Sequence, residues 1–315
     1  MNANNLITVS LGSALVLAGG ASAGFESFNL GSINGQQGWT AQDSFTTSTT
    51  VGNWDQAVMD VNGKRVFRMS NAVTSGTYSS QVFSSRSAQV AGESGSALWN
   101  DRGPNGSAPY NPLQYGAYAT SNQFYSKVDF RSATGSAQAG LALTLSASAK
   151  QGSVRMSYVQ IADNGSTGFD LKYYETLGDG AFPASATTIA SGLSYSSLHS
   201  LEMTIDFVDG VTVGNDGKVY GNDVLKIYLN GQLIKTGTTW ESYYYKYENI
   251  TAGTPRLQAV DSMLFRVAGA AAPSTSGQGF YFEDFAIGNS SPIPGPGALA
   301  LVGIAGLARN PRRRS

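Results

Sequence analysis

The sequence predicts an all-β fold, a sandwich of two antiparallel sheets packed face to face. Three observations predict it. Apolar residues alternate with polar ones at period 2 through much of the chain. Two Asn-Gly pairs sit between alternating runs, where their tolerance of positive φ suits the type I′ turn of a hairpin. No segment carries a convincing amphipathic helical period, and no internal repeat is present.

The alternating runs follow one another along the chain. Ala57–Val61 and Lys64–Met69 flank Asn62-Gly63, and Thr77–Phe83 follows. Phe124, Ser126, Val128 and Phe130 alternate with Tyr125, Lys127, Asp129 and Arg131, and Leu141, Leu143 and Leu145 alternate with Ala142 and Thr144. Val154–Ile161 and Gly168–Glu175 come next. Leu201, Met203, Ile205 and Phe207 then stand against Glu202, Thr204 and Asp206. Val224–Leu229 and Gln232–Lys235 flank Asn230-Gly231, and Met263–Val267 and Phe280–Ile287 close the series. Each run gives one apolar face to a core and one polar face to water. Ala88–Tyr118 and Thr236–Pro255 read as long rim loops, the places where function usually sits on a rigid scaffold.

The two ends differ from this body. Leu6–Ala18 is an apolar run followed by Ala21-Ser22-Ala23, a small-residue cleavage pattern before Gly24, although residues 1–23 hold no Lys or Arg. The sequence therefore divides into a signal peptide (1–23), a β-sandwich (24–291) and a tail (292–315). The tail runs from a Pro/Gly spacer (Pro292, Pro294, Pro296) through apolar Ala298–Ala308 to Arg309, Arg312, Arg313 and Arg314. Proline fixes its own φ and disfavours helix in the residue before it, so the spacer is stiff and non-helical. The apolar run, at about 1.5 Å per residue, spans roughly 16 Å as a helix, against about 30 Å of bilayer hydrocarbon. Transient membrane contact with snorkelling arginines is the expectation.

Order and position of these parts resemble the PEP-CTERM bacterial sorting signals. The motif is Pro294-Gly295-Pro296, with Gly295 where that family usually has Glu, and the closing cluster is Arg312, Arg313 and Arg314. The resemblance implies an exosortase-type processing enzyme as partner and an exported protein at the cell surface or in the extracellular matrix.

Composition excludes several kinds of chemistry. The chain has no Cys and one His, so thiol catalysis, Cys-based zinc sites and a His-rich metal centre are ruled out. Removing both ends takes four of the 20 basic residues and none of the 21 acidic ones, leaving the body at a net charge of −5. Nucleic acid, which needs a basic footprint, is not an expected partner.

Three segments of the body resemble the concanavalin A-like lectin/glucanase superfamily: Phe25-Glu-Ser-Phe28 through Trp39, the Val224–Gly231 hairpin, and Gly279-Phe-Tyr-Phe-Glu283-Asp284-Phe-Ala-Ile287. The resemblance implies a jelly roll, pairing of the first and last strands with Phe25–Phe28 beside Phe280–Ile287, and an association with glycans. It does not imply catalysis.

Glucanases of that fold place carboxylates close together on one strand face. Here Glu202 and Asp206 share a face but lie four residues apart, roughly 13 Å at 3.3 Å per residue. A retaining pair needs about 5 Å and an inverting pair at most about 9.5 Å. Glu283 and Asp284, as neighbours, are expected on opposite faces. His199 has no Ser/Asp partner in the pattern. No catalytic residue is assigned, and the sequence predicts a non-enzyme.

For ligand binding the candidates are Trp240, Tyr243, Tyr244, Tyr245 and Tyr247, whose rings suit the C–H faces of an extracellular polysaccharide; Trp99–Arg102 is a weaker candidate. For a metal, Ca2+ is the candidate cofactor. Asp163, Asn164 and Asp170 offer the hard oxygens it takes, as does a second cluster over Asp206, Asp209, Asn215, Asp216, Asn222 and Asp223. The same residue types are ordinary turn formers. The readings left open are a glycan-binding or matrix-associated protein, a structural envelope component without a small ligand, and a divergent glycoside hydrolase.

Overall fold

Alternation becomes two layers in a computed structural model of the chain. It describes residues 23–42, 52–74, 81–87, 91–92, 121–149, 154–178, 185–246, 258–267 and 269–289. Strands are numbered in chain order. The first sheet runs β17 (Gln232–Gly237), β16 (Val224–Leu229), β13 (His199–Asp206), β7 (Gln123–Ser132), β20 (Phe280–Gly288), β4 (Lys64–Met69), β3 (Gln56–Val61), with β1 (Ala23–Gly24) also on β20. The second runs β12 (Thr187–Leu193), β11 (Phe169–Tyr173), β10 (Val159–Asp163), β8 (Ala142–Ala149), β19 (Ser262–Arg266), β5 (Gln81–Phe83), β2 (Thr40–Gln42), with β9 (Val154–Arg155) on β8. Two ribbons, β14 (Thr212–Val213) with β15 (Val219–Tyr220) and β6 (Ala91–Gly92) with β18 (Ala259–Val260), accompany the sheets among the described residues. Every ladder of the two sheets is antiparallel. The predicted all-β, two-sheet jelly-roll sandwich is the observed fold.

Both Asn-Gly turns have the expected backbone. Asn62 and Gly63 take φ of 57° and 81°, and Asn230 and Gly231 take 51° and 78°, which continues the right-handed twist of the strands. On β13, Leu201, Met203 and Ile205 are buried while Glu202 and Asp206 are half-buried, as the alternation requires.

Three local readings change. Phe25–Ser27 is a turn of 3₁₀ helix rather than a strand, and the pairing with β20 is made by the two residues before it, Ala23 with Phe285 and Gly24 with Asp284. Val154–Ile161 splits, with Met156 and Tyr158 turning into the core between β9 and β10. Glu241–Tyr243 within the predicted loop is helical. Strand β12 was not legible, because Thr-Thr-Ile-Ala-Ser-Gly-Leu alternates poorly and lies at a sheet edge, largely exposed.

The core between the sheets is aromatic. Trp39 meets Phe67 of β4 and Phe285 of β20 in the first sheet at ring-centroid distances of 5.6 and 5.0 Å, and Phe265 of β19 in the second at 5.4 Å. Phe130 and Phe280 of the first sheet meet Phe169 of the second at 6.3 and 5.0 Å. Such pairs add about 0.5–1.5 kcal/mol each beyond the apolar area they bury.

Phe265 also packs on Phe67 and Phe282. Phe265→Ala is expected to cost about 3–5 kcal/mol of unfolding free energy. Leu233→Ala, at an exposed position, is expected to stay within about 0.5 kcal/mol. Urea denaturation of the two variants checks both.

Candidate functional site

The aromatic segment folds inward. A helical turn replaces the expected loop, so residues four apart share a side, and Trp240 and Tyr244 both turn into the body at 3% and 5% exposure. Trp240 lies parallel to Tyr158, with 2° between the planes and 5.6 Å between centroids, and its indole N–H donates to the Tyr174 carbonyl at 3.0 Å. The Tyr244 hydroxyl accepts the Arg155 backbone N–H at 3.0 Å. Tyr243 is half-buried and packs on both rings, and Tyr245 is half-buried. Tyr247 and Trp99–Arg102 lie outside the described residues. The burial corrects the exposed platform expected for Trp240 and Tyr244: their rings are packing elements.

Asp163, Asn164 and Asp170 do come together, in the turn from β10 to β11, and their oxygens face N–H and O–H donors. Asp163 accepts the backbone N–H groups of Gln138 and Gly165 and the Tyr195 hydroxyl. The Asn164 side-chain oxygen accepts from Ser166, Thr167 and Gly168, and its amide donates to Asp170 at 3.1 Å. Asp170 also accepts the Gly192 N–H. This is the local side-chain-to-backbone bonding that makes Asp and Asn turn residues. Among the described residues no group of three or more His, Cys, Asp or Glu is placed to hold a metal ion.

The second oxygen-rich cluster divides. Asp216 caps its own hairpin, accepting the Lys218 N–H and the Tyr220 hydroxyl, which hold its carboxyl below the usual range. Asp223 instead is buried beside Glu241, itself fully buried. Asp223 accepts from the Val208 N–H and the Thr239 hydroxyl, while the Glu241 carboxylate accepts the N–H groups of Asn222 and Asp223. Burial pushes the Asp223 carboxyl up, against hydrogen bonds to Glu241, Thr239 and Val208 that favour its charged form, with the nearby Asp209 charge adding to the rise.

The outward face of the first sheet carries charges matched in pairs. Lys226 meets Asp206 at 3.6 Å, Lys127 meets Asp129 at 3.5 Å, and Arg68 meets Asp55 at 2.6 Å. Glu283 holds both Arg131 and Lys64. Those two cations keep its carboxyl below the usual range even though burial alone would raise it. Asp284 also reaches Lys64, at 3.8 Å. A β-bulge between Phe282 and Phe285 places two residues where one would fit. It turns Glu283 and Asp284 toward the same cation, correcting their expected separation onto opposite faces. Glu202 accepts the Tyr125 hydroxyl at 3.2 Å. Burial, then the Glu202 charge, raise that phenol, so Tyr125 remains a donor. His199 is buried with its Nε2 on the Ser194 carbonyl at 2.9 Å and its ring against Phe130.

One cavity was not anticipated from the sequence. It has a volume of about 240 Å³ and is walled by Phe25, Phe28, Trp39 and Phe285, with Gln37, Ser85, Arg86 and Ser87 as its polar lining. The 3₁₀ turn brings in Phe25 and Phe28, the loop of Gly35–Gly38 brings in Gln37 and Trp39, and the segment after β5 brings in the serines. Arg86 is ion-paired with buried Asp261. The available signal was the spacing of Phe25, Phe28 and Trp39 around glycines, which served only as a family motif.

No protein-family model matches the chain, and no curated protein does. Solved structures align with it. The alginate lyase Aly36B does so at 8% identity over 84% of this chain and 95% of its own, with a TM-score of 0.45. A Bacillus licheniformis β-glucanase aligns at 13% identity over 85% and 96%, with a TM-score of 0.37. A sialidase aligns at 8% identity over 87% of this chain but 19% of its own, with a TM-score of 0.43. The lyase and the glucanase are concanavalin A-like fold proteins; the function of this chain is argued from its residues.

The raised Asp223 carboxyl has a defined sign. The folded state binds its proton more tightly than the unfolded state, so this contribution to stability is present at low pH and is lost as pH rises from about 4, the ordinary aspartate value, through the raised one. Thermal unfolding from pH 4 to 8 should therefore show a falling contribution in the wild type that Asp223→Asn removes. Equal pH slopes in the two proteins would refute it.

Proposed function

We propose that this is an exported, non-catalytic protein of the cell surface or extracellular matrix that binds a carbohydrate. The observation that supports this reading is the cavity at the edge of the core, where Gln37, Ser85, Arg86 and Ser87 form a polar lining over Phe25, Phe28, Trp39 and Phe285, each at most 7% exposed. A sugar ring is an amphipathic object, with C–H faces for an aromatic wall and hydroxyls for amides and serines. Ligand sites are mostly apolar hollows with a few placed polar groups, and drug-sized ligands take about 300–1,000 Å³. A smaller cavity suits one sugar unit of a chain.

The reading as a binder rather than an enzyme is supported by the state of the acids. Glu202 and Asp206 stand four residues apart on β13, and each is engaged, Glu202 by Tyr125 and Asp206 by Gln123 and Lys226. A glycosidase needs two carboxyl groups at a set separation across the bond to be cut. The proposed route to the surface uses the tail, whose Pro294-Gly295-Pro296 and Arg312–Arg314 would engage an exosortase-type enzyme during transient membrane contact; those residues lie outside the described ones. A second reading, a structural matrix component without a small ligand, is favoured by the outward face of the first sheet, where ion pairs tie the charges to one another.

A glycan array probed with the full chain, beside a Ser85→Phe variant that fills the cavity mouth, separates these readings. Retention of a saccharide by the wild type, reduced at least tenfold in Ser85→Phe with an unchanged circular-dichroism spectrum, is the expected result. Retention unaffected by the variant would move the site elsewhere, and absence of any retention would favour the matrix reading.

A further inference from the structure

The described lining of the cavity is rich in hydrogen-bond donors and holds no carboxylate. That bears on the charge of its occupant, an inference that rests on the binding proposal above. The rings are each at most 7% exposed, so a ligand meets Gln37, Ser85, Arg86 and Ser87 first.

Arg86 is the one charged residue of this lining, and it is held along one flank. Its Nε and Nη2 both bind one oxygen of Asp261, whose side chain is 1% exposed. A guanidinium has five N–H donors and keeps its charge throughout the physiological range. With one hydrogen from each of those nitrogens on Asp261, three remain, two on Nη1 and one on Nη2. Among the described residues none supplies an acceptor for them, and the Arg86 side chain is 41% exposed where it lines the cavity. The end of the guanidinium is thus a free fork, suited to two parallel N–H···O bonds with an oxyanion. A ligand can take that fork while Asp261 keeps its own bonds. The ion pair also fixes the side chain beforehand, which reduces the ordering that binding would require.

The neighbours of Arg86 add neutral donors. Among the described residues the Ser85 hydroxyl has no hydrogen-bond partner. One amide hydrogen of Gln37 goes to Ser27 Oγ at 2.7 Å, and the second is free. Hydroxyl and amide N–H groups both donate to an oxyanion. No described lining residue is acidic, so nothing in that lining repels a negative charge. A neutral sugar would engage the same groups through hydroxyls alone. An anionic group gains bonds in which both partners are charged, and charge-assisted bonds are roughly twice as strong as neutral ones.

We infer that the cavity takes an acidic saccharide unit, bearing a carboxylate or a sulfate, and that Arg86 binds the anionic group with Ser85 and Gln37 beside it. The free fork supplies the charge selectivity, and the ion pair to Asp261 supplies its position.

The test is calorimetric titration of the full chain with oligosaccharides of equal length: neutral, uronic, methyl-esterified uronic and sulfated. Wild type is compared with Arg86→Lys, Gln37→Glu and Ser85→Phe. The expected result is binding of the uronic or the sulfated sugar at least tenfold tighter than the neutral one; which of the two binds identifies the group. If it is the uronic sugar, its methyl ester, which keeps the shape and loses the charge, should bind at least tenfold more weakly. Arg86→Lys keeps a cation for Asp261 and loses the fork, and should weaken binding at least tenfold. Gln37→Glu leaves the Arg86–Asp261 pair in place and adds a repelling carboxylate, with the same expected loss. Equal or tighter binding of the neutral sugar, still abolished by Ser85→Phe, would overturn the inference and leave the cavity proposal standing. Full affinity for the acidic sugar in both Arg86→Lys and Gln37→Glu would overturn it as well. Binding by none of these sugars would overturn both.

Discussion

The aromatic contact between the sheets, centred on Trp39, is what the rest of the molecule depends on. Trp39 belongs to neither layer. It comes from the loop before β2 and reaches Phe67 and Phe285 on one side and Phe265 on the other. With no cysteine to cross-link the layers, apolar burial has to hold them together, and large rings bury the most surface per residue. The same contact builds the cavity, because Trp39 and Phe285 are both core members and cavity walls. Stability and the proposed binding site therefore share side chains, which is why the informative positions for function are the polar ones around the rim.

The polar groups follow a consistent division. On the outward face of the first sheet, acids and bases are paired at strand spacing, and the bulge in β20 adds a further carboxylate to Lys64. In the turns, Asp163, Asn164 and Asp216 satisfy backbone donors that would otherwise lack partners. The buried Asp223–Glu241 pair is the exception. Two carboxyls share one enclosed site, and burial favours the protonated form of Asp223. It fastens the segment before β16 to the helical turn after β17.

Candidate chemistry assigned by residue type fared differently from segment to segment, for physical reasons. Asp163, Asn164 and Asp170 meet as their spacing suggested, since a tight turn between adjacent strands can place them nowhere else. What they bond to was set by the turn itself, whose N–H groups claim the oxygens. The Trp240–Tyr247 segment looked like a rim decoration because a loop was assumed. Once Glu241–Tyr243 turns helical, the period becomes nearly four and carries Trp240 and Tyr244 inward together. The Phe25–Trp39 segment showed the reverse: aromatics that read as a structural signature also wall a hollow.

The sequence by itself determined the all-β class, most strand positions, both Asn-Gly hairpins and the inward identity of residues such as Leu201, Met203 and Phe265. These are local properties: a period of two residues and a turn that needs positive φ leave few alternatives. It also determined the absence of thiol chemistry and the excess of acidic over basic residues between 24 and 291. Only the tertiary structure decided which strands are neighbours, the bulge that sends Glu283 and Asp284 to one cation, the burial of Asp223 against Glu241, and the cavity between the 3₁₀ turn, the Gln37 loop and the segment after β5. Each joins residues far apart in the chain, and nothing in local periodicity encodes which distant surfaces will meet when two sheets close on an aromatic core.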